Sequence, residues 1–225
     1  MDGFQSVREE MCRVGRLLYN RGYVASNDGN ISVRLDENRI LITPSGVSKG
    51  RMEPDMLVVT DLEGNVLSGD RYPSSESKMH YRVYQKRPDV LAVVHAHPPV
   101  STAWAVCRKP LREPYLAEMV VGLGGQVPVT EFAMLSTDEV PRSVEPFLEN
   151  HNAVLLANHG VLTWSVGLYQ AFDLLEVVEH TAKIYLNVSL LGGGVPLDQE
   201  QVSTLLSMQE NYQKLAGKRE ASHSA

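Results

Sequence analysis

The stretch Val90-Leu91-Ala92-Val93-Val94-His95-Ala96-His97-Pro98-Pro99 decides how the rest of the chain is read. Its apolar, β-branched run predicts a buried strand that delivers two histidines as it ends. Side chains two apart on a strand point to the same side, so His95 and His97 can aim at one point while Ala96 turns away. The prolines behind them stop the strand and suit the first turn of a helix. A weaker echo follows in Ala153-Val154-Leu155-Leu156-Ala157-Asn158-His159-Gly160, another short apolar run ending in a histidine. If the two strands lie close with their ends level, three imidazoles converge. That is the protein side of an open zinc site.

The totals narrow the field. At 225 residues and 43% hydrophobic, the chain has enough material for one sizeable core, and one domain over 1–217 is the expectation. No apolar run approaches the length of a bilayer crossing, and the opening residues lack the basic and apolar regions of an export signal. Two cysteines, Cys12 and Cys107, without framework spacing fit a reducing cytoplasm. A net charge of -6 argues against nucleic acid as a partner.

Around the histidine strand, the pattern alternates helices and strands irregularly. Val7, Met11, Val14 and Leu18 predict an amphipathic helix stopped by Gly22. Short strands are expected at Ile31–Arg34 and Ile40–Thr43, then a hairpin with arms Met56–Thr60 and Val66–Ser68. Ser74 or Ser75 is placed as the cap of a helix running to Arg87. Helices follow at Pro98–Val106 and Pro114–Leu123, a strand at Val127–Glu131, and a capping-box helix from Ser136 to Asn150. Val161–Ser165 extends the third-histidine strand. Leu168, Phe172, Leu175, Val178 and Ala182 mark a long helix closed by Gly192-Gly193-Gly194. A last helix carries Val202, Leu205, Gln209 and Tyr212, and the polar residues 218–225 read as a disordered tail. The sum is an α/β fold: one mixed sheet with helices on both faces.

A His-x-His pair alone is a weak metal signal, since most such histidines are hydrogen-bonded or solvated. The third histidine raises its weight, because the glycine after it leaves space beside the ring. Ser74-Ser75-Glu76 has a plain reading as a helix start with an acid near the positive end of the dipole. The same free amides and hydroxyls attract a phosphate, and Asn30, Ser45 and Gly46 can complete that cradle from neighbouring loops. Lys49 either helps neutralise the anion or is solvated. His80 and His180 sit inside predicted helices with no partner at metal spacing, and Cys107 reads as a small buried side chain.

Five segments then resemble the class II aldolase/adducin-head family: Gly29-Asn30-Ile31-Ser32-Val33-Arg34, Ile42-Thr43-Pro44-Ser45-Gly46, Pro73-Ser74-Ser75-Glu76, Val93-Val94-His95-Ala96-His97 and Leu156-Ala157-Asn158-His159-Gly160. They occur in the family's order from about Val7 to Tyr212, and the chain is most similar to the branch that cleaves L-fuculose 1-phosphate. The resemblance implies a three-layer α/β/α sandwich with a mixed, mostly antiparallel sheet, assembled as a homotetramer with active sites between subunits. It makes His95, His97 and His159 the ligands of one Zn2+ (or another divalent metal) per chain, with Glu76 as catalytic base and further ligand. It makes Asn30, Ser45, Gly46, Ser74 and Ser75 the phosphate cradle.

The implied reaction is reversible retro-aldol cleavage of a phosphorylated ketose to dihydroxyacetone phosphate and a short aldehyde. Epimerases of the family usually carry aspartate where this chain has Glu76. One departure concerns the second acid/base. Where the aldolase has a tyrosine before a Gly-Gly, this chain has Glu118, with Tyr115 nearby; Tyr212 matches a tyrosine of the last helix. Alternatives are a methylthioribulose 1-phosphate type dehydratase, a sugar-acid phosphate decarboxylase, a 4-epimerase and a non-enzymatic adducin-like binding module.

Overall fold

Seven strands form one sheet, and the histidine strand lies inside it. The computed structural model describes residues 4–208. Helix α1 (Gln5–Asn20) buries Met11, Val14 and Leu18, as its spacing predicts. Strands β1 (Asn30–Arg34), β2 (Ile40–Ile42), β3 (Val58–Thr60) and β4 (Val66–Ser68) follow, then α2 (Ser77–Lys86), β5 (Ala92–Ala96) and α3 (Pro99–Val106). Helices α4 (Ala117–Leu123) and α5 (Glu139–Val144), strands β6 (Ala153–Leu156) and β7 (Gly160–Ser165), and the long α6 (Leu168–Leu190) come next, and the described residues end in a helical stretch over 199–208. The sheet runs β4-β3-β2-β1-β5-β7-β6, and each of these neighbouring pairs is antiparallel.

Strand β5 is apolar on both faces because both faces are covered. Ala92, Val94 and Ala96 join a core with residues of α1, α3, α4 and α6, whereas Val93 packs with Met79 and Val83 of α2 and Val140 and Val144 of α5. This is the expected three-layer arrangement.

Several boundaries differ from expectation for local reasons. Val127–Glu131 is not a strand: single bridges join Val127 to Leu111 and Val129, in parallel, to Leu155. Pro128 lacks the N–H that a continuous ladder needs, while its carbonyl accepts from Leu155 N at 2.9 Å. The helix expected from Ser136 to Asn150 ends at Val144 and passes into a 3₁₀ turn at Glu145–Phe147 containing Pro146. Neither Ser74 nor Ser75 caps α2. That helix begins at Ser77 with Glu76 in the cap position, and the Glu76 carboxylate makes no capping bond. Met56 belongs to a 3₁₀ turn rather than to the hairpin arm, and α4 starts three residues later than Pro114–Leu123 predicts. Tyr212 and the tail 218–225 lie outside the described residues.

Candidate active site

The ends of β5 and β7 bring the three histidines together. His95 pairs across the ladders with Asn30 on β1 and Leu162 on β7. His97 lies just past the strand, where its backbone N–H donates to the Tyr23 carbonyl at 2.9 Å. His159 sits in the turn between β6 and β7, after Asn158 in the left-handed conformation at φ 56°. The turn closes tightly because Gly160 has no Cβ. An added Cβ there would come 2.5 Å from the Ala96 carbonyl and 2.6 Å from the His97 ring.

One ligand nitrogen from each ring lies within 4.8 Å of the others, and the ring centroids are 4.6 to 5.0 Å apart. Hydrogen bonds fix the tautomers. His95 Nδ1 donates to the Val161 carbonyl at 2.8 Å, so its Nε2 carries a lone pair. His97 Nδ1 faces Asp28 Oδ2 at 3.4 Å, which likewise frees Nε2. These two Nε2 atoms are only 3.0 Å apart. His159 Nε2 is buried and lies 2.9 Å from Glu76 Oε1 without hydrogen-bond alignment, so it has no hydrogen-bond partner. Burial lowers the pKa of His95 far below the usual imidazole value, and burial with the nearby His159 lowers that of His97. Three imidazoles converging on one point, with the buried His159 Nε2 lacking an aligned hydrogen-bond partner, fit a divalent metal ion.

Glu76 adjoins this cluster. Oε2 accepts from Asn30 Nδ2 at 2.9 Å and lies 3.6 Å from His95 Nε2. Burial pushes its carboxyl up, but the adjoining imidazoles, His159 foremost, outweigh this and hold it well below the usual carboxylate range. A cavity of about 210 Å³ opens beside Glu76, His97 and His159, and Ser45, Gly46, Ser74 and Ser75 line its other side. The bridge between Pro44 and Pro73 brings these two serine loops together. Larger clefts of about 540 and 600 Å³ lie elsewhere, away from the histidines. Size does not select the site; chemistry does.

Lys49, buried to 1% exposure, also lines this cavity. Its ammonium donates to the carbonyls of Asn27 at 3.0 Å and Val47 at 2.7 Å, tying two lining loops together. Burial lowers its pKa to about 8, against the raising effect of Asp28 and Glu76. Asn30 is 1% exposed and commits its amide to Glu76 and to His80 instead of lining the cavity. Glu118 is exposed and lines a different cleft with Arg21, Tyr23 and His180, so one chain does not bring it to the histidines. Sequence reasoning missed Asp28 and His80. A carboxylate two residues before Asn30, and a histidine four residues after Glu76 on an inward helix face, were the available signals.

The family model for the class II aldolase and adducin N-terminal domain matches residues 9–186. The chain belongs to this family. It is 37% identical over 186 residues to the 3-oxo-tetronate 4-phosphate decarboxylase of Haemophilus influenzae, covering 80% of this chain and 87% of that one. It is 34% identical over 177 residues to the L-fuculose phosphate aldolase of Methanococcus maripaludis, covering 78% and 93%. A solved L-fuculose 1-phosphate aldolase superposes with a TM-score of 0.85 at 35% identity, over 91% of this chain and 96% of that one. The chain is thus an enzyme of the class II aldolase superfamily, a metal-dependent family. Its histidine triad is the group that could bind the metal. Among the described residues no helix is long and apolar enough to cross a membrane.

Proposed function

We propose that the chain is a zinc-dependent cytoplasmic aldolase. It reversibly cleaves a phosphorylated ketose of the L-fuculose 1-phosphate kind to dihydroxyacetone phosphate and a short aldehyde. The observation that carries this reading is the shared cavity: two of the three histidines, Glu76 and the serine loops all border one space. His95, His97 and His159 would hold the ion, with Glu76 within reach as a further ligand. A bound divalent cation supplies Lewis-acid stabilisation of negative charge developing on substrate oxygens.

The chain's residues do the rest. Ser45, Gly46, Ser74 and Ser75 seat the phosphate, and Lys49 offsets its charge. As the carbon–carbon bond breaks, its electron pair moves onto the ketone fragment as an enediolate, and the hydroxyl on the leaving carbon gives up its proton. Glu118 or Tyr212 of an adjoining subunit takes that proton in a homotetramer with interfacial sites. Support for this comes from Glu118 standing away from the histidines of its own chain. Glu76 passes a proton from a water molecule to the enediolate carbon, giving dihydroxyacetone phosphate, and the hydroxide left behind recovers the proton held by the second acid/base.

A second reading is decarboxylation of a 3-oxo-tetronate 4-phosphate. Its support is the 37% identical relative and the glutamate at position 118. Loss of carbon dioxide leaves the same enediolate and needs no base on the leaving side, so a missing tyrosine there costs nothing. Mass spectrometry of products from L-fuculose 1-phosphate and from 3-oxo-tetronate 4-phosphate separates the two. The first reading expects aldehyde with dihydroxyacetone phosphate from the former substrate. Carbon dioxide from the latter alone assigns the second reading, and turnover of neither contradicts both.

A further inference from the structure

Behind Glu76 runs a buried chain of polar side chains. Asn30 Nδ2 donates to Glu76 Oε2 at 2.9 Å, and Asn30 Oδ1 meets His80 Nε2 in a short contact. His80 Nδ1 lies 2.7 Å from Ser32 Oγ, which lies 2.8 Å from the Tyr84 hydroxyl. His80 and Ser32 are 0% exposed, Asn30 1% and Tyr84 2%. The elements explain the match. Asn30 and Ser32 are two apart on β1 and leave the same face, while His80 and Tyr84 are four apart on α2 and leave one side of the helix.

Asn30 sets the direction of every bond. Its Nδ2 donates to Glu76 Oε2, so its carbonyl oxygen is the atom turned to His80. His80 Nε2 must then carry the hydrogen. Its Nδ1 accepts from Ser32, which in turn accepts from Tyr84. Burial lowers the His80 pKa to about 3, so the ring stays neutral and keeps this single tautomer. An amide in the chain passes no proton onward, so the row of bonds can orient Glu76 but cannot supply it with protons. It also divides the two carboxylate oxygens: Oε2 is held by Asn30, whereas Oε1 is turned to His159.

We propose that His80 is a positioning residue for Glu76: through Asn30 it fixes the carboxylate's rotation, so that Oε2 is the anchored oxygen and Oε1 the one that moves protons. This rests on reading Glu76 as the residue that protonates the enediolate. Both readings of the reaction end in that step.

Dihydroxyacetone phosphate in D2O is the probe, since its deuterium uptake reports Glu76 alone. His80→Leu removes the donor to Asn30. His80→Gln keeps one, because its amide N–H can reach where Nε2–H stood. Misplacing a reacting group by about 1 Å costs on the order of 100-fold, so His80→Leu is expected to lower the maximal exchange rate by about that factor. Its half-saturating concentration and its bound zinc per chain should stay at the wild-type level, and His80→Gln should recover most of the rate. Wild-type exchange in His80→Leu overturns the proposal, as does equal loss in both variants with zinc retained. ¹⁵N NMR of the wild-type ring gives an independent reading that needs no variant to fold. A protonated Nε2 from pH 6 to 8 supports the anchor, and a protonated Nδ1 overturns it. If the wild type exchanges nothing while Nε2 is protonated, the reaction assigned to Glu76 falls and its anchoring by His80 stands.

Discussion

Asn30 stands directly opposite His95 across the β1–β5 ladder, so the residue that holds Glu76 and a candidate metal ligand leave the sheet on one face. A single register sets both. A one-residue slip of β1 would turn Asn30 and Ser32 away from α2 and bring Ile31 to face it. The alternation of β1, with Ile31 and Val33 packed on the α1 side, guards against that slip.

The tautomer of His97 depends on Asp28, whose Oδ2 lies 3.4 Å from Nδ1. Asp28→Asn is therefore expected to weaken zinc binding by roughly 10- to 100-fold, the usual effect of losing a carboxylate behind a metal-bound histidine. Competition with a fluorescent chelator measures it. Zinc affinity equal to wild type would remove Asp28 from the site.

Gly160 packs against the Ala96 carbonyl and the His97 ring too closely for any side chain. Gly160→Ala should disturb the convergence of the rings. Zinc affinity is expected to fall at least tenfold, and equilibrium dialysis against zinc reads this directly.

Among the described residues, Lys49 is the one lysine or arginine lining the cavity, alongside the carboxylates Asp28 and Glu76. A hydrogen bond to a charged group contributes about 1.5–3 kcal/mol. Lys49→Met should thus raise KM for a phosphorylated substrate by roughly 10- to 100-fold, with kcat much less affected. Steady-state kinetics give the split, and a fall confined to kcat would contradict a phosphate role.

Glu179 is 0% exposed and accepts from the backbone N–H groups of Val100 and Ser101, at 3.2 and 2.8 Å, and from the Ser101 hydroxyl at 2.8 Å. It thereby closes the first turn of α3, just after the His97–Pro98 corner. Glu179→Leu leaves the Val100 and Ser101 N–H groups without their acceptor, while the Ser101 hydroxyl keeps the Pro98 carbonyl at 3.3 Å. At about 1–3 kcal/mol for each unsatisfied donor, the expected destabilisation is about 2–6 kcal/mol, seen as a lower urea midpoint.

The His80 pKa drops from its usual 6.5 to about 3 on folding, because burial penalises the charged ring. Between those values the unfolded chain binds a proton that the native state refuses. Stability contributed by the neutral ring is therefore full above pH 6.5 and lost as pH falls toward 3. Denaturant titrations at stepped pH should show this slope in the wild type and a shallower one in His80→Gln.

Much of the arrangement was legible from the chain. The apolar run before His95 gave a strand covered on both faces, and the spacing of Leu168, Phe172, Leu175, Val178 and Ala182 gave the buried side of α6. Spacing of two likewise gave the meeting of His95 and His97. What could not be read was tertiary. His80 looks like any helical histidine until β1 is laid against α2, and Lys49 looks like any loop lysine until two loops close over it. Turn chemistry misled at Ser74, whose hydroxyl accepts from Glu76 N at 3.3 Å and delays α2 to Ser77. At Val127–Glu131 a β-rich composition yielded to the missing N–H of Pro128.

Zinc K-edge X-ray absorption on the metal-loaded chain tests the central claim most directly. The account predicts one zinc per chain, with three imidazole nitrogens at about 2.0–2.1 Å and oxygen completing the shell. Fewer than three imidazoles, a sulfur ligand, or no bound zinc at all would contradict it.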